Sequence, residues 1–167
     1  MTTPGPPGER RGADQRYAVR PEERLETVPL DGRSLTLDHV AAVARGRAVP
    51  RLTAPARAEM LRSHAWVADA AAGRIAGPDG EPMSVYGVNT GYGSLARVRI
   101  DPNRIRELSW NLLRSHAAGV GPPISAESAR AMMLLRANAL AKGASGCRPA
   151  LVETLCAMLE KLSLIHI

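Results

Sequence analysis

Residues 101–162 read DPNRIRELSWNLLRSHAAGVGPPISAESARAMMLLRANALAKGASGCRPALVETLCAMLEKL, and this stretch decides the fold class. It contains three helix-start signals: Asp101-Pro102, Ser125 and Pro149. Gly119 and Gly143 end the first two helices, because glycine readily takes the left-handed conformation that follows a helix. The third helix has apolar residues at helical spacing: Leu151, Leu155, Met158 and Leu162. The stretch therefore predicts three consecutive helices.

Two more helices are predicted upstream, and their ends are marked by Thr36 with Gly46 and by Thr53 with Gly73. Residues 73–100 are rich in glycine and proline and are expected to form loops, with a short strand around Val85, Tyr86 and Val88. Residues 1–33 mix Pro, Gly, Arg and Glu without a hydrophobic period, which predicts a disordered extension. The structured unit is thus expected over residues 34–162, followed by a tail over residues 163–167.

The composition favours a mainly α protein packed with Ala, Leu and Met. Hydrophobic residues make up 45% of the 167 residues, aromatic residues only 3%, and Phe is absent, which argues against an aromatic-rich β-sandwich. The formal charge is +6, but the arginines are interleaved with acidic residues, so no nucleic-acid partner is expected. The sequence shows no signal peptide and no apolar run of membrane-spanning length, which predicts a cytoplasmic protein without a membrane partner.

Two regions contain residues that could carry chemistry. The segment Tyr86-Gly87-Val88-Asn89-Thr90-Gly91-Tyr92-Gly93 combines glycines with two phenols, and it could be either a surface turn or a ligand-binding loop. In the first helix of residues 101–162, His116 continues an apolar stripe and is expected to point inward. That histidine could serve the core or a binding site. The other histidines and the two cysteines, Cys147 and Cys156, have no metal-ligand spacing, so no metal site is expected.

Three segments together resemble the aromatic amino acid lyase family: residues 86–93, residues 111–121 (NLLRSHAAGVG) and residues 135–143 (LRANALAKG). The resemblance begins at Leu35 and runs to about Glu160. Members of this family are several times longer than this chain. The resemblance therefore implies the loop-rich N-terminal part of a helical-bundle enzyme, truncated before the rest, and a homotetramer for the full-length protein.

The resemblance also implies a reaction, the elimination of ammonia from an L-amino acid. The family uses a methylidene-imidazolone made from an internal Ala-Ser-Gly, together with a base that removes a β-proton. By resemblance the base is Tyr86, and the substrate-binding residues are Ser115, His116 and Gly93. The pair Ser115-His116 implies L-histidine as the small-molecule substrate. The alternatives are tyrosine as substrate, an aminomutase reaction on the same fold, or a non-catalytic helical binding module.

The tripeptide Ala144-Ser145-Gly146 has the cofactor's letters but not its context. It is followed by Cys147-Arg148-Pro149, whereas the family's cofactor triad is followed by Asp-Leu-x-Pro. It is interpreted as a turn between two helices. The resemblance then implies that this chain alone forms no methylidene-imidazolone and is inactive, and that a reading frame continuing into Gly-Ala-Ser-Gly-Asp would identify the enzyme.

Overall fold

The computed structural model describes residues 25–161. Its strands and α-helices are, in chain order, β1 (Glu26–Leu30), α1 (Leu37–Ala44), β2 (Ala48–Leu52), α2 (Ala54–Ala71), α3 (Ile105–His116), α4 (Ala126–Ala141) and α5 (Pro149–Glu160). Two short 3-10 turns lie at Gly93–Leu95 and Pro102–Arg104. The described part of the chain is therefore mainly α, as the composition predicts.

The predicted helix starts agree with the caps that the structure shows. The Thr53 hydroxyl accepts a hydrogen bond from the Ala56 amide at 3.4 Å, and the Ser125 hydroxyl accepts one from the Ser128 amide at 3.1 Å. Pro149 is the first residue of α5, where its missing N–H costs no helical hydrogen bond. Gly143 follows α4 with φ +74°. These signals act within a few residues, so the bounds of α2, α4 and α5 can be predicted from the local sequence.

The predicted disordered extension over residues 1–33 is wrong for residues 26–30, which form β1. This strand pairs in parallel with β2, in a register that places Glu26 opposite Ala48 and Leu30 opposite Leu52. Val28 and Leu30 are fully buried because alternate side chains of the strand face the helices. Helix α1 forms the crossover that a parallel pair requires. Residues 1–24 and the predicted tail at 163–167 lie outside the described residues.

The core lies between α4 and the elements packed around it. Helix α4 packs on α1 and α5, and α5 also packs on β2. The fully or nearly fully buried side chains are Val28, Leu30, Val43, Ala48, Ala56, Met60, Leu134, Ala137, Ala141, Val152, Cys156 and Leu159. Among the residues of the predicted α5 stripe, Leu151 is exposed, Leu155 and Met158 are half-buried, and Leu162 is outside the described part. The face of α5 that enters the core is instead formed by Val152, Cys156 and Leu159.

One charged side chain enters this core. Arg130 on α4 is 3% exposed, and its guanidinium donates to the carbonyl oxygens of Val43 at 2.7 Å, Ala44 at 2.9 Å and Leu159 at 3.0 Å. These carbonyls lie in the last turns of α1 and α5, where the helix dipole is negative, and the Val43 carbonyl also accepts the Gly46 amide at 3.1 Å. Burial lowers the pKa of Arg130 from its ordinary value. The guanidinium therefore joins the ends of two helices to a third.

Residues 73–124 project from this core. The short strand expected around Val85, Tyr86 and Val88 is absent from the described structure, where this segment forms turns; single antiparallel bridges join Ala76 to Pro82 and Thr90 to Arg99. The Val85 carbonyl accepts bonds from the Val88 and Asn89 amides, so it is used within a turn rather than in a ladder. Helix α3 ends at His116, before the predicted stop at Gly119, and contributes no buried residue.

Candidate active site

The Tyr86 loop, residues 83–93, is built around the buried side chain of Asn89. Its Oδ1 accepts the Val85 amide at 2.8 Å, and its Nδ2 donates to the carbonyl oxygens of Met83 at 2.9 Å and Ala70 at 3.1 Å. Ala70 lies in the last turn of α2. Because a buried amide left without partners is costly, this fully bonded arrangement fixes the loop against α2.

Thr90 and two glycines complete the turn. The Thr90 hydroxyl accepts the Gly87 amide at 3.3 Å and donates to the Gly91 carbonyl at 3.2 Å. Gly87 has φ +70°, a conformation that other residues adopt only at a cost, and a Cβ there would lie 3.2 Å from the Tyr92 ring. A Cβ on Gly91 would lie 2.5 Å from Leu95 Cβ. Glycine is therefore required at both positions for the loop to close.

The loop presents Tyr86 to solvent. This residue is 63% exposed, and its ring meets Tyr92 edge-on, with ring centroids 6.1 Å apart and planes at 83°. The Tyr92 hydroxyl donates to the Gly87 carbonyl at 3.5 Å, whereas no hydrogen bond to the Tyr86 hydroxyl occurs within residues 25–161. Gly93 has φ +56° and open space where a side chain would stand. The open side of the loop thus carries a free phenol and an accessible stretch of backbone.

The end of α3 holds the second pair of sequence-predicted site residues. Contrary to the expectation that His116 points inward, it is exposed, since no other described element covers this face of α3. Its Nδ1 lies 2.9 Å from the Leu112 carbonyl and 3.0 Å from the Ser115 hydroxyl, which itself donates to the Leu112 carbonyl at 2.8 Å. A carbonyl can only accept, so Nδ1 is the donor in this contact, and Nε2 is the acceptor of the neutral ring.

No hydrogen bond connects the Tyr86 loop to Ser115 or His116 in residues 25–161. The region between residue 93 and α3 forms a surface cavity of about 460 Å³, lined by residues that include Val98, Arg99, Asp101, Leu108 and Asn111. The structure therefore positions the loop and the end of α3 on one projecting region, 73–124, without joining them directly.

The tripeptide Ala144-Ser145-Gly146 lies in the turn between α4 and α5, as predicted. The Gly146 amide donates to the Ser63 hydroxyl at 3.0 Å, and its carbonyl lies 2.9 Å from His64 Nδ1. Gly146 has φ +64°, and a Cβ there would overlap Val67. The amide and the carbonyl of Gly146 are thus both in contact with α2. This backbone therefore does not fit the family's cofactor tripeptide, whose own atoms must cyclise to form the methylidene-imidazolone.

The polar residues that sequence reasoning left without a role are Asn89, Thr90 and Arg130. These residues stand out because their polar atoms are buried, and burial cannot be predicted from residue spacing, although Asn89 and Thr90 lie inside the glycine-rich segment.

A thiol nucleophile is disfavoured: burial raises the pKa of Cys147 from its ordinary value of 9.0, and that of Cys156 to about 11. In residues 25–161, no three His, Cys, Asp or Glu side chains form a metal-binding cluster, and no helix is long and apolar enough to cross a membrane.

Comparisons with known proteins agree with these observations. The chain is 51% identical to the histidine ammonia-lyase of Anaeromyxobacter dehalogenans over 137 residues, which cover 82% of the chain and 25% of that protein. It is 43% identical to the tyrosine ammonia-lyase of Cupriavidus metallidurans over 131 residues, 78% of the chain and 23% of that protein. A tyrosine aminomutase from Streptomyces globisporus has a similar structure, with a TM-score of 0.70 and 36% identity over 81% of the chain and 24% of its own.

The chain thus spans about a quarter of the length of the curated relatives it matches. These similarities confirm the predicted fold class. The sequence model of the aromatic amino acid lyases matches residues 35–164, which include both the Tyr86 loop and the Ser115-His116 pair. The chain belongs to the aromatic amino acid lyase family.

Proposed function

We propose that this chain supplies part of the active site of a cytoplasmic ammonia-lyase that converts L-histidine to urocanate and ammonia. The observation that carries the proposal is the free phenol of Tyr86, exposed on a loop whose backbone is held by the buried Asn89 and Thr90. Because the chain spans a quarter of its relatives, the activity is proposed for the complete protein, and residues 1–167 alone are proposed to be inactive.

Tyr86 is proposed as the base. A β-proton of an amino acid is weakly acidic, so its removal needs a basic group held at hydrogen-bond distance from that carbon. The Tyr86 loop supports this role because Asn89 and Thr90 hold the backbone on both sides of Tyr86 by hydrogen bonds, while the Tyr86 hydroxyl stays free. Gly93 is proposed to let the substrate approach the backbone, which its open, positive-φ conformation supports.

His116 is proposed to recognise the substrate ring, with Ser115 orienting the imidazole. The bond from Nδ1 to the Leu112 carbonyl leaves Nε2 as an acceptor, which suits a ring that carries an N–H or O–H donor. A ring without such a donor would leave this acceptor unpaired once buried, at a cost of about 1–3 kcal/mol. The selectivity for histidine over an unsubstituted phenyl ring follows from this asymmetry.

The methylidene-imidazolone of the family would supply an electrophile that activates the amino acid substrate. Ala144-Ser145-Gly146 does not fit this group, because the Gly146 amide and carbonyl are both engaged with α2. In the proposal, the group therefore comes from outside residues 1–167. By the family resemblance, the complete protein is further proposed to assemble as a homotetramer.

A tyrosine lyase or an aminomutase is the second candidate. It is supported by the similarity to the Cupriavidus tyrosine ammonia-lyase and the Streptomyces tyrosine aminomutase. A phenol O–H could also donate to His116 Nε2, so the geometry accommodates both rings. Histidine is preferred because Ser115-His116 is the pair that the family resemblance connects with that substrate.

The test uses protein expressed from the complete reading frame of the gene, with residues 1–167 alone as the inactive control. Tyr86→Phe removes only the hydroxyl and is expected to lower kcat about a hundredfold or more. His116→Leu is expected mainly to raise KM for histidine and to shift the histidine-to-tyrosine activity ratio. Steady-state rates on both amino acids, with melting temperatures, provide the measurement. Near-normal turnover by Tyr86→Phe or an unchanged ratio for His116→Leu contradicts the assignment of that residue.

A further inference from the structure

We infer that Asn89 is a positioning residue for Tyr86, acting through the backbone from which the phenol projects. The inference rests on the proposed function, in which Tyr86 is the base. Asn89 is 3% exposed, and its side-chain oxygen and nitrogen are already bonded to Val85, Met83 and Ala70, so neither is free for a substrate. Its effect on the reaction would therefore pass through the geometry of the loop.

Two side chains of the loop hold the backbone on either side of Tyr86. The amide of the preceding residue, Val85, is held by Asn89 Oδ1 at 2.8 Å, and the amide of the following residue, Gly87, is held by the Thr90 hydroxyl at 3.3 Å. Both neighbours of Tyr86 are thus fixed by side chains three or four residues further along. The direction of the Tyr86 Cα–Cβ bond is set by these two contacts.

Asn89 also connects the loop to the rest of the molecule. Asn89 Nδ2 donates to the Ala70 carbonyl in the last turn of α2, and the Asn89 carbonyl accepts the Ile100 amide at 3.0 Å. One residue therefore joins the loop to α2 on one side and to the segment leading into α3 on the other. Loss of its amide would free the loop from α2 while the Ile100 bond remains.

Packing contributes little to the position of the Tyr86 side chain. Its ring is mostly exposed and has an edge-on contact with Tyr92. A side chain so little enclosed takes its position from its backbone. A change at Asn89 is therefore expected to displace the phenol without altering any group that the phenol touches.

The first measurement needs no catalysis and uses residues 1–167. Hydrogen exchange is followed in peptides covering residues 83–92, for Asn89→Ala and Asn89→Asp. Asn89→Ala removes all three side-chain bonds and is expected to raise the exchange rate about tenfold or more. Asn89→Asp keeps the acceptor for Val85 but places a carboxylate oxygen against the Ala70 and Met83 carbonyls in place of both donated bonds, so its exchange should also rise. The exposed Asn103→Ala is the matched control and should leave exchange unchanged.

The second measurement uses the protein from the complete reading frame. Asn89→Ala is expected to lower kcat about tenfold to a hundredfold with KM changed by less than about twofold, because a misplaced base slows the chemical step. In a double-mutant cycle, Asn89→Ala should have little further effect in the Tyr86→Phe background. A residue that only stabilised the fold would lower activity by the same factor in both backgrounds.

The outcomes separate this inference from the proposed function. Additive effects in the cycle, or unchanged exchange over residues 83–92 in Asn89→Ala, overturn the positioning role. Because Asn89→Ala could weaken the fold, Asn89→Asp must give the same non-additivity with the α4 and α5 amides as protected as in the wild type; if it does not, the inference fails. An inactive complete protein would overturn the proposed function, and the exchange data would then decide only whether Asn89 holds the loop.

Discussion

Arg130 shows how a single residue can join separate elements. Its guanidinium satisfies three carbonyls at the ends of α1 and α5. Arg130→Met keeps most of the side-chain volume but removes the only donors to the Ala44 and Leu159 carbonyls within residues 25–161, while Val43 keeps its bond from the Gly46 amide. The free energy of unfolding is therefore expected to fall by about 3 kcal/mol. Urea denaturation measures this change. Arg136→Met on the exposed side of the same helix is the control, and an equal loss in both variants would rule out the role of the buried bonds.

Asp31 gives the fold a pH-dependent contribution just before α1. Its Oδ1 accepts the Arg33 amide at 2.7 Å and the Ser34 amide at 2.8 Å. The hydrogen bonds from the Ser34 and Arg33 amides lower the pKa of this carboxyl from 3.8 to about 2. Since the folded pKa lies below the unfolded one, the stabilisation is present above pH 3.8 and is lost as the pH falls towards 2.

Comparison with Asp31→Asn measures this contribution. The wild type should exceed the variant in urea midpoint at pH ~6, and the difference should shrink at pH ~2. The variant keeps an oxygen acceptor at the same position but carries no charge. The comparison therefore isolates the contribution of the charge from that of the hydrogen-bond geometry. The same difference at both pH values would show that the carboxylate's charge is irrelevant.

At the scale of elements, α3 differs from every other helix in the described structure. It is longer than α1, 12 residues against 8, yet it buries no residue, whereas α1 buries Val43 and Ala44. Helical stability in proteins comes mainly from burial of an apolar face. In residues 1–167, the amides of α3 are therefore expected to exchange at least about tenfold faster than those of α1, despite its greater length. Hydrogen exchange with peptide resolution provides the test, and equal protection in α1 and α3 would contradict it.

The elements differ in how far the sequence predicts them. Helices α2, α4 and α5 follow from caps and glycines, which act within a few residues. Strands β1 and β2 do not, because each is five residues long and contains a proline, and their pairing depends on contacts far apart in the chain. The direction of His116 fails for a related reason: a helical period identifies an apolar face, but only the neighbouring elements decide whether that face is covered.

The candidate site also combines features that the sequence predicts with features that it does not. The glycines and tyrosines of the Tyr86 loop mark it as unusual, and the family resemblance gives its residues their proposed roles. The buried network of Asn89 could not be predicted, since it links Ala70, Met83 and Val85 through one amide whose direction no spacing rule specifies. A motif can therefore show where chemistry is to be expected before it shows what holds the reacting group.

For the whole molecule, the described residues leave large apolar side chains exposed on α3, α4, α5 and the α3–α4 connection. These side chains are Trp110, Leu113, Val120, Ile124, Met132, Leu135 and Leu151. Met132 and Leu135 line one surface cavity together with Leu155, and an exposed apolar patch of this kind is typical of an interaction face. It accords with the chain matching only a quarter of its relatives, whose remaining sequence includes the candidates to cover it.

The pairing of β1 with β2 sets the limit to which the chain can be shortened. The sequence match to the family begins at residue 35, so a domain boundary taken from it would remove β1. That cut removes Val28 and Leu30 from the core, which lowers the free energy of unfolding by about 1.5–3 kcal/mol for each side chain. It also removes the hydrogen bond from the Gly32 amide to Asn138 Oδ1. The loss is comparable to the whole stability of a small domain.

Deletion of residues 1–24 is therefore expected to leave the melting temperature within a few degrees of that of the intact chain, whereas deletion of residues 1–34 should abolish the cooperative transition. Thermal melts followed by circular dichroism compare the two. A cooperative melt after the longer deletion would show that β1 is dispensable. If the longer deletion does abolish the transition, the folding unit begins upstream of the residue at which the family match begins. Without β1, strand β2 then has an unpaired edge to which a strand of a second chain can add.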